Sequence, residues 1–187
     1  MPLNVFEAAL AMDDECVSIG GGEPTIHPEF WHFIGLAIAN VEYVWMATNG
    51  KETKTALALA RLAKRGVLAV ELSLDKWHEK IDPKVVKAFT KEYVHRPFGS
   101  EGDRDLRGFR TVTSISNSGR AKKNHLGSDP YSCPCEELVV KPDGSIHQCG
   151  CTDAPRLGHV LEEFDRNEFV NDDGEIPCCR KGKLASV

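Results

Sequence analysis

In the first half of the chain, apolar positions gather into short unbroken runs separated by amphipathic stretches. CVSIG (16–20), VEYVWMA (41–47) and VLAVELS (67–73) are the runs. After the first, Phe30, Phe33, Ile34, Ala37 and Ile38 recur at helical spacing, and Pro28 sits where a first helical turn tolerates proline. After the second, Ala56, Leu59, Ala60, Leu62 and Ala63 line one helical face, and Gly66 supplies a stop signal. After the third, Asp82-Pro83 predicts a cap and first residue for a helix running to about Thr90. The runs end near residues 20, 47 and 73, a recurrence of roughly 26 residues that suits a βα unit. They are apolar on both faces, as parallel strands covered by helices are. KEYVHRP (91–97) and FRTVTSIS (109–116) are further candidate strands, with the charged GSEGDRDLRG between them reading as a loop. The class is α/β, an open parallel sheet or a partial barrel.

The polar residues are not scattered over this pattern. Gly-Gly-Gly-Glu-Pro (20–24), Thr48-Asn49-Gly50 and Ser73-Leu74-Asp75 each follow the C-terminal end of a strand. That rim is where parallel α/β folds bind ligands, because the βα loops converge there. Taken singly, a glycine-rich turn or an Asn-Gly turn is ordinary. Aligned on three consecutive strands, they direct small, polar and acidic groups to one place. No G-x-G-x-x-G and no GK[ST] occurs, so the rim does not read as a phosphate cradle.

Composition narrows the function classes. The chain has 187 residues, 41% hydrophobic and 27% charged, enough to bury a core. A net charge of −5 gives no basis for expecting a nucleic-acid partner. The basic stretch from Arg104 to Lys123 reads as a solvated loop or, alternatively, as a site for an anionic substrate. No apolar run approaches the length of about 20 residues that spans a bilayer. Residues 1–15 lack the basic-then-apolar order of a signal peptide, so the expected location is cytoplasmic.

Six of the seven cysteines lie after residue 130. In YSCPCEELVVKPDGSIHQCGCT (131–152), Pro142-Asp143-Gly144 is a turn signal between two β-prone runs. Placing Lys141–Gly144 in the turn sets Val140 opposite Ser145, Glu136 opposite Cys149, Cys135 opposite Gly150 and Cys133 opposite Thr152. Cys133, Cys135, Cys149 and Cys151 then converge at the open end of one hairpin. Four thiols so placed suit an iron–sulfur cluster or a tetrahedral zinc, and disulfides suit a cytoplasmic chain less well. Cys178-Cys179 supply at most one further ligand, and Cys16, within an apolar strand, is expected in the core.

In this order, GGGEP, Thr48-Asn49-Gly50 and Ser-Leu-Asp with a following His78 resemble the core of a radical S-adenosylmethionine enzyme. Gly119-Arg120-Ala121 and the cysteine hairpin resemble the later part of members with a SPASM or twitch extension, which carries an auxiliary iron–sulfur cluster. The resemblance covers roughly residues 10–160. It implies a partial parallel (β/α) barrel over residues 1–118 and a cysteine-rich β-hairpin region over 119–187. It implies that Gly21, Gly22, Glu23 and Pro24 bind the amino group of S-adenosylmethionine, and that Thr48 and Asn49 line the same rim. Ser73 and Asp75 would lie near the ribose or carboxylate, with Arg120 a partner for the carboxylate. His27 and His78, each at a helix entry, read as structural. The chemistry implied is a cofactor's: a reduced [4Fe–4S] cluster cleaves the sulfonium, and the resulting radical takes a hydrogen atom from the substrate. SPASM and twitch members point to a peptide or protein as substrate.

One element of the family pattern is not found. Its C-x-x-x-C-x-x-C motif belongs upstream of GGEP, where Cys16 is the only cysteine. Either the first βα unit is missing from this chain or the chain is a degenerate member, and as written it is expected to be inactive alone. The competing reading is a non-catalytic protein whose four-cysteine hairpin holds structural zinc.

Overall fold

Three consecutive strand–loop–helix units form as the apolar runs dictate. The structure is a computed structural model that describes residues 1–13, 15–91, 105–111, 123–126, 138–150 and 154–169. These fall into two bodies, Asp13–Thr113 and Met1–Met12 together with Ser114–Val187.

The first body is a parallel sheet in the order β1-β2-β3-β4, with β1 at Cys16–Ile19, β2 at Tyr43–Thr48, β3 at Ala69–Ser73 and β4 at Arg107–Arg110. The connecting helices are α2 (Phe30–Asn40), α3 (Thr53–Lys64) and α4 (Pro83–Phe89). Pro28 lies in the turn before α2 rather than in its first turn. Helix α3 buries Ala56, Leu59, Ala60 and Ala63 and sets Arg61 and Lys64 in its last turn, where the carbonyl ends favour cations. Helix α4 opens as the sequence predicts: the Asp82 carboxylate accepts from Lys84 N at 2.8 Å and Pro83 follows it.

Strands added in chain order with right-handed crossovers place all three helices on one face of the sheet. Val44, Met46, Val70 and Leu72 point to that face and are fully buried. Each such side chain contributes roughly 2 kcal/mol by leaving water. The other face carries Ser18, Trp45, Ala47, Glu71 and Arg110, so the strands are not apolar on both faces as their composition suggests. Cys16 is exposed, not in the core. It begins the edge strand β1, where the apolar character of its neighbours says nothing about what lies outside the sheet.

Strand β4 begins at Arg107, inside the charged stretch that reads as a loop. Its partner is local. Arg107 is buried, and its guanidinium grips both carboxylate oxygens of Asp105, Nε at 2.8 Å and Nη2 at 2.6 Å, while Nη1 donates to Ala88 O at the end of α4. The candidate strand at 91–97 lies outside the described residues except for Lys91, and FRTVTSIS outside them beyond Thr111.

The second body contains α1 (Leu3–Leu10) and an antiparallel sheet β5-β6-β7, at Val139–Val140, Ser145–His147 and Arg156–His159. The hairpin exists where Pro-Asp-Gly predicts it, but its register differs by one residue: Val140 pairs with Ile146. Lys141 N donates to Ser145 O at 2.9 Å, closing a three-residue loop with Gly144 at φ 88°. A three-residue loop with a left-handed last residue is a common hairpin solution. The third strand, β7, has no counterpart in the sequence reading.

Candidate functional site

The rim predicted from sequence is assembled around one carboxylate. Strand β1 ends at Ile19, the glycines follow, and Glu23 caps a short 3-10 turn over Pro24–Ile26. Glu23 Oε1 accepts from Thr25 N at 3.2 Å, Thr25 Oγ1 at 2.6 Å and Thr48 Oγ1 at 2.9 Å. Its Oε2 accepts from Asn49 N at 2.7 Å. The first two rim loops are thus clasped through hydrogen bonds to a carboxylate, which are stronger than neutral ones. A carboxylate has about four acceptor positions, two on each oxygen. Oε2, with one donor, keeps a position for a further hydrogen bond.

The second loop is fixed in turn. Thr48 is buried, and its hydroxyl accepts from Gly50 N at 3.1 Å while donating to Glu23. Gly50 has φ 70°, and a Cβ there would meet Leu72 Cδ1 at 2.7 Å and Ile81 Cδ1 at 2.9 Å. Only glycine fits. Asn49 Oδ1 accepts from Lys51 N at 2.9 Å, which turns the Asn49 amide NH2 away from its own loop. Lys51 pairs with Glu79 at 2.9 Å, joining the second loop to the third across an exposed ion pair that holds the Glu79 carboxyl below its usual range.

In the third loop Asp75 is tied into local hydrogen bonds. That side chain is only 2% exposed and accepts from Trp77 N at 2.9 Å and from His78 Nδ1 at 2.8 Å. Asp75 therefore organises its own loop and sets the His78 ring, whose Nε2 is turned the other way. His78, 36% exposed, is the residue presented. It borders an open cleft of about 700 Å³ lined also by Ser73, Leu74, Asp75, Ile81 and Val86. His27 has local partners: Nδ1 accepts from Glu29 N at 3.2 Å, and the ring stacks on Phe33.

The donor set suits a ligand with amino, carboxylate and hydroxyl groups. Glu23 Oε2 keeps one acceptor position beyond Asn49 N, the Asn49 NH2 makes no hydrogen bond to a described residue, and Ser73 lines the cleft. Trp77 Nε1 is the one side-chain atom among the described residues that is buried without a hydrogen-bond partner. Buried donors are rarely left so unless something else satisfies them. Trp77 carries no signal in the sequence beyond its place after Asp75. Arg120 lies outside the described residues.

Of the hairpin cysteines only Cys149 is described, and it is 1% exposed just beyond β6. Cys133, Cys135 and Cys151, like Cys178 and Cys179, lie outside the described residues. Among the described residues no group of three or more His, Cys, Asp or Glu is placed to hold a metal ion. A buried thiol at the open end of the hairpin fits a ligand role. No helix among the described residues is long and apolar enough to cross a membrane.

No protein-family model matches the chain. A segment of 59 residues, 32% of this chain, is 44% identical to the mycofactocin maturase MftC of Mycobacterium ulcerans and covers 16% of that protein. A 69-residue segment is 36% identical to the mycofactocin maturase MftC of Mycolicibacterium smegmatis, covering 37% of this chain and 17% of that one. The matches span about one sixth of the length of these curated relatives. In fold, the chain is similar to a solved structure of native anSMEcpe with bound AdoMet and Kp18Cys peptide, with a TM-score of 0.54 at 15% identity, covering 93% of this chain and 73% of that one.

Proposed function

We propose, on the premise that this chain is a radical S-adenosylmethionine superfamily protein, that its strand-end rim binds S-adenosylmethionine in the service of radical chemistry on a peptide or protein. The Glu23 clasp carries the reading. It fixes the GGEP loop against Thr48-Asn49 while leaving Oε2 able to accept from the ligand's amino group. Gly21, Gly22 and Pro24 supply backbone polar groups beside it, the Asn49 NH2 donates to a carboxylate or hydroxyl, and Ser73 with the Asp75-held His78 serves the third loop. Arg120 is assigned to the ligand carboxylate on sequence alone. Peptide or protein is favoured as substrate because the sequence relatives are named maturases and the structure similar in fold holds a peptide.

With a reduced iron–sulfur cluster, bound S-adenosylmethionine supplies one-electron sulfonium cleavage and hydrogen-atom abstraction. The chain's own part is to bind, orient and shield. The sequence has no C-x-x-x-C-x-x-C, so residues 1–187 alone are expected to bind the ligand without cleaving it. Cys133, Cys135, Cys149 and Cys151 are assigned to an auxiliary [4Fe–4S] cluster, supported by their spacing in the sequence and by the burial of Cys149.

Titration calorimetry with S-adenosylmethionine tests the rim. Glu23→Ala removes the clasp and is expected to weaken binding about tenfold or more, while Glu42→Ala, on an exposed residue at the other end of β2, leaves it unchanged. Equal affinities for Glu23→Ala and the parent chain would show the rim assignment to be wrong.

A further inference from the structure

The face of the parallel sheet opposite α2, α3 and α4 holds a carboxylate that bonds to none of the described residues. In register, Ala47 lies beside Glu71, Glu71 beside Gly108, Trp45 beside Ala69 and Ser73 beside Arg110. Neighbours in a parallel register share a face, so Glu71 stands mid-strand on the side opposite α2, α3 and α4, flanked by two of the smallest residues. Gly108 lies close against it: a Cβ there would be 3.1 Å from Glu71 Cγ, so the glutamate side chain would have to shift slightly. Glu71 is half-buried, yet it makes no hydrogen bond or ion pair with any described residue. Arg110, the cation nearest in register, lies 5.7 Å from the Trp45 ring centroid instead.

That arrangement is unfavourable for the fold by itself. Glutamate is depleted in strands, and a half-buried carboxylate gives up hydration that no described residue replaces here with a hydrogen bond. Its position has a consequence for binding. Glu71 precedes Ser73 by two residues, about 6–7 Å along the strand, so it lies on the sheet just below the rim. A half-buried negative charge acts over several ångströms on a cation held at the rim.

We propose that Glu71 is a specificity-determining residue of the S-adenosylmethionine site, favouring the cationic sulfonium over a neutral thioether of the same shape. The inference rests on the S-adenosylmethionine reading and adds the basis of its charge discrimination. Ala47 and Gly108 flank the carboxylate in register with the smallest of side chains. Shape and hydrogen bonding at Glu23, Asn49 and Ser73 treat the two ligands alike, and Glu71 separates them.

Calorimetric titration of the 187-residue chain with S-adenosylmethionine and with S-adenosylhomocysteine tests this, with Glu71→Gln and Glu71→Asp alongside the parent. Glu71→Gln is expected to weaken the sulfonium ligand about tenfold and to leave the thioether within about twofold. Glu71→Asp keeps most of the preference. A structural role would lower the melting temperature of Glu71→Gln, whereas here it stays the same or rises. Equal loss for both ligands, or no change for either, overturns the assignment of Glu71 while leaving the rim intact. If the parent chain binds neither ligand, the rim reading fails and this inference with it.

Discussion

The two bodies hold their functional residues in place by different means. In the parallel body, Met46, Leu59, Leu68, Val70, Leu72, Val85 and Phe89 are almost completely buried, and the rim loops rest on that core. In the hairpin body the described strands have two, three and four residues, and Ile146, Cys149 and Ala154 are the buried apolar side chains of that sheet. Polar bonds carry more of the load there. Asp143 accepts from Ser145 N at 3.0 Å and from Ser145 Oγ at 2.6 Å, and His159 Nε2 donates to Asp143 O at 2.8 Å. A sheet so short does not stabilise itself, and small scaffolds of this kind rely on a disulfide or a metal. The first body can present a ligand site on its own account. In the second, the proposed metal at the cysteines would add the support that so short a sheet lacks.

The largest expected effect removes this support. Removing metal by chelation, or replacing Cys149 by serine, is expected to abolish amide protection at Ile146 and His147, since structural metal binding supplies about 10 kcal/mol or more of folding energy. Amides of Val70 and Leu72 keep their protection, because their burial owes nothing to the cysteines. Hydrogen exchange followed residue by residue reads both at once. Unchanged protection in β6 after complete metal loss would mean that the hairpin holds itself, and the contrast between the bodies would disappear.

A smaller effect separates positions within the parallel body. Gly50→Ala forces a Cβ against Leu72, Ile81 and Val85 at a positive φ, and is expected to cost about 3 kcal/mol. Gly22→Ala meets nothing within 4 Å and stays within about 0.5 kcal/mol of the parent. Chemical denaturation measures both. A mild Gly50→Ala would show that the second rim loop is adjustable, and that Glu23 rather than packing fixes it.

Much of the parallel body was legible because its signals are local. Apolar runs, the Asp82-Pro83 cap and the Gly66 stop each act within a few residues, so three strand–helix units and their common rim follow from the sequence. Where partners are distant, the sequence is ambiguous. Nothing in CVSIG says that β1 ends the described sheet with Cys16 exposed, and nothing in VLAVELS says that α2, α3 and α4 share one face. Arg107 and Asp105 read as loop charges because their pairing and the burial of the arginine depend on α4. Likewise GGEP implied a ligand contact for Glu23, whereas most of its acceptor capacity serves Thr25, Thr48 and Asn49. The hairpin was legible from Pro-Asp-Gly, but turn composition alone did not choose between a three- and a four-residue loop, and the register follows from that choice.

The smallest effect tests whether a polar link matters in the body that is otherwise held by apolar burial. Hydrogen bonds from Arg107 hold the Asp105 carboxyl below its usual value of 3.8. A carboxyl depressed by folding stabilises the fold above its unfolded value, and that contribution is lost as pH falls through the folded one. Asp105→Asn is therefore expected to be less stable than the parent at neutral pH by about 1.5 kcal/mol, because a buried guanidinium loses its charged partner. The difference should narrow as pH drops below about 4, since the parent then loses the same charge. Thermal unfolding of both proteins at a series of pH values reads this directly. A difference that stays constant down the acid range would show that the pair is held by shape and by Ala88 O rather than by charge. Parallel curves of that kind would leave apolar burial as the main support of β4, and would widen the contrast with a hairpin whose described turn is tied by polar bonds.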